Sequence, residues 1–297
     1  MRSRVPLDEY TLDPRAVRRA FDRASRTYAD AAGVQTEIRT RLLERLDLVK
    51  LEPARVLDLG AASGGSTRAL KNRYPKAQVI ALDLSPRMLA AAAREQSFFR
   101  RFDRIACDAH RLALKEASID LVFSNLMLTW CDDLDAVLEE TARVLRPDGL
   151  FMFTTLGPDT LRELRDAFRH VDDRTHVHRF LDMHDIGDAL MRAGFADPVL
   201  DTERLTATYP DARTLLTELR RTGSINATHG RPRGLFGPRK LDEVARLLDE
   251  NRRDGRLPIS LEVVYGHAWK GQPRAGRGTP GEVAIPLSEL RGRIRKI

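Results

Sequence analysis

Cysteine is scarce: Cys107 and Cys131 are the only two in 297 residues, and neither sits in a CxxC or Cys/His pattern. That argues against a disulfide framework and a zinc finger, and suits a reducing, cytoplasmic setting. Long apolar runs are missing too. Stretches such as Leu126-Met127-Leu128 fall far short of the ~20 residues a bilayer-spanning helix needs, and Met1–Glu9 carries no apolar core of a secretory leader. No membrane-spanning segment is therefore expected, and the expected partners include neither membrane nor nucleic acid. Lysine is rare as well, seven of fifty cations, which fits an arginine-favouring codon usage. With 42% hydrophobic and 31% charged residues, the chain still has the composition of an ordinary globular protein, not of a collagen or a disordered polymer.

The net charge of +7 is unevenly placed. Residues 1–205 hold 32 Lys+Arg against 33 Asp+Glu, whereas residues 206–297 hold 18 against 10. A basic final third suits an acidic protein, an anionic membrane or nucleic acid. With no RNP, finger or zipper motif beside it, nucleic acid ranks last. Between Leu205 and Leu257 the densest cationic cluster is Arg231, Arg233, Arg239 and Lys240, with no carboxylate between them.

Periodicity predicts helices from Asp13-Pro14 through Tyr28 and from Val34 to Leu48, the second burying Ile38, Leu42, Leu46 and Leu48. Strands are then expected at Arg55–Gly60, Gln78–Asp83, Arg104–Asp108, Ile119–Ser124 and Leu150–Thr155, alternating with helices. That rhythm means a parallel sheet whose ligand sits beyond the carboxyl ends of the strands. Two later strands, Pro198–Thr202 and Ile259–Trp269, enclose about fifty residues, which become an inserted cap if the strands pair.

The turn Val56-Leu-Asp-Leu-Gly-Ala-Ala-Ser-Gly-Gly65 offers Asp58, Gly60 and Gly64, with Ala62 where a D-x-G-x-G-x-G pattern has its middle glycine. No dinucleotide G-x-G-x-x-G is present. Asp83 ends the next strand, where a carboxylate suits ribose hydroxyls. Asp108-Ala109 suits an adenine amino group, and Ser124-Asn125 ends the fourth strand. His176, His178 and His184 match no standard metal spacing, and solvated loop positions are expected for them.

Four polar strand ends in sequence resemble the Rossmann-like class I S-adenosylmethionine-dependent methyltransferases, an α/β fold with a seven-stranded, mostly parallel sheet and helices on both faces. Further stretches narrow the likeness. Phe21-Asp-Arg-Ala-Ser-Arg-Thr-Tyr28, Phe123-Ser-Asn-Leu-Met-Leu-Thr-Trp-Cys131, Leu156-Gly-Pro-Asp-Thr-Leu-Arg-Glu-Leu-Arg165, His176-Val-His-Arg-Phe180 and Val263-Val-Tyr-Gly-His-Ala-Trp269 resemble the malonyl-[acyl-carrier protein] O-methyltransferase family of biotin synthesis. The resemblance implies S-adenosyl-L-methionine as methyl donor and no metal. It implies cofactor contacts from Asp58, Gly60, Gly64, Asp83, Leu84, Met88, Asp108, Ala109, Asn125 and Trp130. Tyr28 would act from a lid, with Arg179 beside it and Arg165 on the substrate, a malonyl thioester of acyl-carrier protein or coenzyme A. The cluster Arg231, Arg233, Arg239 and Lys240 would dock the acidic carrier. The expected organisation is a lid (1–50), a cofactor-binding core (51–204), a helical cap (205–257), a closing strand (258–270) and a tail (271–297), in a cytoplasmic monomer. Two alternatives stay open: an arginine-hydroxylating assembly factor of mitochondrial complex I, which the tail Arg274–Leu290 resembles, and a non-catalytic interaction module on the same fold.

Overall fold

The computed structural model describes residues 10–271 except 233, 235 and 236. Arg233, the first nine residues and the stretch Arg274–Leu290 lie outside them.

Asp13 starts α1 (Pro14–Ala24) by accepting the Arg15 and Ala16 N–H groups, with Pro14 at the first helical position. The helix does not run on to Tyr28. It breaks at Ser25–Thr27 and resumes as the short α2 (Tyr28–Ala31), because Thr27 is drawn off to donate its hydroxyl to the Arg221 carbonyl (2.8 Å). Next, α3 (Gly33–Arg45) buries Ile38 and Leu42, and its end tightens to a 3₁₀ turn over Leu46–Leu48. That change of pitch swings Leu48 off the expected buried face, leaving it 86% exposed.

The alternating half follows: β1 (Arg55–Leu59), α4 (Gly65–Arg73), β2 (Gln78–Asp83), α5 (Pro86–Arg94), β3 (Asp103–Ala106), β4 (Ile119–Asn125), α6 (Leu134–Val144) and β5 (Leu145–Leu156). Two helices, α7 (Arg162–Arg169) and α8 (Met183–Arg192), lead to β6 (Phe195–Tyr209), then α9 (Ala212–Arg221), α10 (Pro238–Asp249) and β7 (Leu257–Lys270). Among the described residues the strands form one seven-stranded sheet in the order β3-β2-β1-β4-β5-β7-β6. The β1–β5 neighbours are parallel, and β7 runs antiparallel to both β5 and β6. The reversal between β1's neighbours β2 and β4 opens the crevice that such sheets use for ligands.

Two strands are longer than their apolar runs suggested. β5 starts at Leu145, paired with Ile119, before an irregularity. β6 continues to Tyr209, paired with Leu257, so Leu205–Tyr209 belong to the sheet and not to the cap. The signal was there: Thr206 and Thr208 alternate with Leu205, Ala207 and Tyr209, a half-buried strand pattern. The cap is thus what lies between the paired strand ends, residues 210–256.

Apolar side chains cover both faces of the sheet, with Leu57, Val122 and Phe151 on one and Val56, Leu121 and Phe123 on the other. A separate core under the cap joins Leu164, Leu215, Val244, Leu248 and Ile259. A smaller one joins Leu12 and Val17 to Ala227, with Phe21, Leu84 and Trp130 packed against it. No helix among the described residues is long and apolar enough to cross a membrane.

Candidate active site

At the end of β1 the chain must turn sharply under a neighbour. Gly60 has φ +84°, and a Cβ there would lie 2.3 Å from the Met127 side chain. Its N–H bonds the Leu82 carbonyl at 2.8 Å. Ala62 takes the left-handed conformation (φ +44°) that favours glycine. What holds it is Asp83: Oδ2 accepts the Ala62 N–H and Oδ1 the Ser85 N–H, both at 2.8 Å. Burial nevertheless pushes the Asp83 carboxyl up to about 6.

Asp58 lies fully buried beneath the same turn. Its Oδ2 accepts the Thr67 hydroxyl at 2.5 Å, while Oδ1 has no partner. Burial, opposed by the Thr67 bond and aided by the charge of Asp83, lifts its carboxyl to about 7. Across from it, burial and the Asp83 charge hold the Tyr28 phenol above its usual range, so its hydroxyl stays a donor.

Beyond β3, Asp108 Oδ1 accepts both the backbone N–H of His110 (3.0 Å) and its Nδ1 (2.6 Å). The His110 bond lowers the Asp108 pKa, and Asp108 raises that of His110. Beyond β4, Asn125 donates to the Gln35 carbonyl (3.1 Å) and accepts the Thr154 hydroxyl (2.9 Å). Trp130 meets Phe21 edge-on at 5.1 Å and His178 at 4.9 Å.

These strand ends open on one cleft of about 200 Å³, which runs on beneath the lid and the cap. Gly60, Asp83, Leu84, Asp108, Ala109 and Asn125 line it, as do Tyr28 and Trp130.

Several expected contacts stand elsewhere. Gly64 is the left-handed residue before α4, and a Cβ there would lie 2.8 Å from Ala92 Cβ, so glycine serves helix packing. Met88 is fully buried in α5, its N–H taken by the Ser85 hydroxyl. Arg165 spends its guanidinium on the Pro158 and Thr160 carbonyls. Arg179 is exposed, 5.3 Å from the Tyr10 ring, because in the segment 176–180 His178 turns inward and its neighbour turns out. Arg231 is tied to Asp13 (3.2 Å) and the Thr228 carbonyl, and Lys240 to Asp172 (3.3 Å). The fold therefore brings carboxylates to a cluster that had none in sequence.

Known proteins bear on this architecture. A family profile described as a methyltransferase domain matches residues 57–153. The malonyl-[acyl-carrier protein] O-methyltransferase of Methylovorus sp. is 51% identical over 273 residues, covering 90% of this chain and 92% of that protein. Its namesake from Halorhodospira halophila is 47% identical over 294 residues, covering 98% and 99%. The chain belongs to the malonyl-[acyl-carrier protein] O-methyltransferase family. Neither the hydroxylase nor the non-catalytic alternative is favoured. Among solved structures, phosphoethanolamine N-methyltransferase 2 of Haemonchus contortus in complex with S-adenosyl-L-methionine aligns with TM-score 0.50 at 21% identity, over 79% of this chain and 52% of that one, a likeness of fold.

In this member of the methyltransferase family, local sequence gave little sign of two cleft residues. His110 follows Asp108 by two positions and becomes notable only when the turn closes their bond. His178 is 7% exposed, far from the solvated position expected. His176 is also sheltered, stacking on Phe168 (4.1 Å) and contacting Asp172 (2.7 Å). Their one sequence signal is the His176–Phe180 motif. Among the described residues, no cluster of three His, Cys, Asp or Glu side chains suits a metal ion.

Proposed function

We propose that this protein transfers the methyl group of S-adenosyl-L-methionine to the free carboxylate of malonyl-acyl-carrier protein, yielding the methyl ester used in biotin synthesis. The observation that carries this reading is the 47% identity with the Halorhodospira protein of that name over almost the whole of both chains. The residues present also fit the cofactor. Buried Asp58 has an unpartnered oxygen and suits a cationic ligand, Asp83 faces the cleft where a ribose would sit, and Asp108 follows on the adenine side. When bound, the cofactor supplies an electrophilic sulfonium methyl.

The chain's own task is then positional. A malonyl carboxylate is ionised well below pH 7 and asks for no base. Tyr28 donates its hydroxyl to one carboxylate oxygen and leaves the other to attack. Phe21, Trp130 and the cap residues exclude water, and orientation of this kind supplies up to ~7–11 kcal/mol in favourable cases.

Mass spectrometry of malonyl-acyl-carrier protein after incubation with enzyme and cofactor tests the reading: one methyl gained on the acyl group is expected, and cofactor binding without that gain overturns it. The carrier meets the cap in this scheme, where Arg239 and Lys240 are exposed. Arg239→Glu should slow the carrier-protein reaction a few-fold at low salt and leave malonyl-coenzyme A turnover close to wild type. Equal effects on both acceptors would place docking elsewhere.

A further inference from the structure

One polar group in the cleft has no assigned task. His178 lines the cavity, 7% exposed, and its Nε2 is buried without a hydrogen-bond partner. Buried polar atoms are nearly always paired, so an unpaired one facing a cavity marks where a ligand atom belongs. The ring is not free to seek another partner. Trp130 and Phe180 each hold it edge-on, with centroids 4.9 Å away, so packing fixes the direction of Nε2. Trp130 and Tyr28 line the same cleft, which places His178 with the groups that surround the reacting carboxylate.

We propose that His178 Nε2–H donates a hydrogen bond to an oxygen of the malonyl thioester and so positions the acyl group. The proposal rests on the malonyl-thioester reading of the cleft and adds a residue to it. A neutral donor suits the reaction better than a cation. An imidazolium would pair with the nucleophilic carboxylate and blunt its attack, whereas a neutral N–H holds an oxygen without neutralising it. Burial, reinforced by the charge of Arg165, lowers the His178 pKa to about 4, which keeps the ring neutral at ordinary pH. Arg165 thus acts on the site through its field while its own hydrogen bonds go to carbonyls.

Two variants separate donation from packing. His178→Phe keeps a ring against Trp130 and Phe180 but removes the nitrogen, and His178→Gln returns an N–H donor at similar reach. Malonyl-pantetheine is titrated into each protein saturated with S-adenosylhomocysteine, and KM and kcat are measured with malonyl-acyl-carrier protein. For His178→Phe we expect Kd and KM of the malonyl thioester to rise about tenfold. S-adenosylhomocysteine affinity and melting temperature should stay near wild type, and Gln should recover most of the loss. Wild-type thioester binding by His178→Phe overturns the proposal, as does a joint fall of thioester binding, S-adenosylhomocysteine affinity and melting temperature in both variants. If the wild-type protein neither binds nor methylates the thioester, the functional reading fails and this inference falls with it; an active wild type with an indifferent His178→Phe removes the inference alone.

Discussion

At the ends of β1 and β2, the carboxylates that shape the cleft are fixed by near neighbours in the chain: Thr67 bonds Asp58 nine residues away, and Ala62 bonds Asp83 twenty-one away. Around the lid and cap the same work is done across the whole chain. Thr27 reaches the Arg221 carbonyl over 194 residues, Arg231 reaches Asp13 over 218, and Leu12 bonds Asp132 over 120. The first region is a strand–turn–helix unit whose geometry follows from β-pairing and a few small residues. The second exists only after β6 and β7 have paired and brought residues 210–256 back over the site. A cleft built this way has one side formed at the strand ends and another that depends on the completed fold.

On that division, the largest effect belongs to Asp83→Ala. The change removes the acceptor for two backbone N–H groups and the carboxylate proposed to hold the ribose, so cofactor affinity should fall by about 2–4 kcal/mol in isothermal titration. An unchanged dissociation constant would show that the turn is held without this carboxylate. Tyr28→Phe probes the lid side, where the hydroxyl is proposed to meet the substrate carboxylate. Turnover should drop on the order of tenfold to a hundredfold while cofactor affinity stays within twofold, and parallel losses in both would make Tyr28 a packing residue of the lid.

Titration of Asp58 sharpens the contrast at a smaller scale. Its folded-state pKa is raised from 3.8 to about 7. Its contribution to stability is therefore full below about pH 3.8 and lost as pH rises through about 7. Ligand-free Asp58→Asn should melt on the order of 4 °C above wild type at pH 8, with the gap closing toward pH 5. The same charge attracts a cation, so wild-type cofactor affinity should rise between pH 6 and pH 7.5 while that of Asp58→Asn stays flat. A pH-independent wild-type affinity would remove Asp58 from the binding scheme. Ala62→Gly should have the smallest effect. It relieves a left-handed alanine worth about 1–2 kcal/mol and adds glycine entropy of about 0.5–1 kcal/mol, for a melting-temperature gain of about 2 °C. A clear loss by differential scanning fluorimetry would mean that the alanine methyl packs usefully in the turn.

The amino-acid sequence by itself determined the alternating half: β2 stands where the Gln78–Asp83 run put it, and Gly60 after β1, Asp83 of β2 and Asn125 of β4 line one crevice, with Asp58 buried beneath it. Apolar periodicity and capping residues act over one or two turns of chain, so they can be read without knowing the fold. Tertiary structure alone decided which side chains face the cleft. Gly64 and Met88 share the motif region with Gly60 and Leu84, yet the packing of α4 and α5 against the sheet takes them out of the cavity. Arg179 and His178 are adjacent, and which one turns inward depends on Trp130 and Phe180. Arg231 looked like a free cation until the fold delivered Asp13. Direction, burial and charge pairing are set by groups remote in sequence, and no local pattern encodes them.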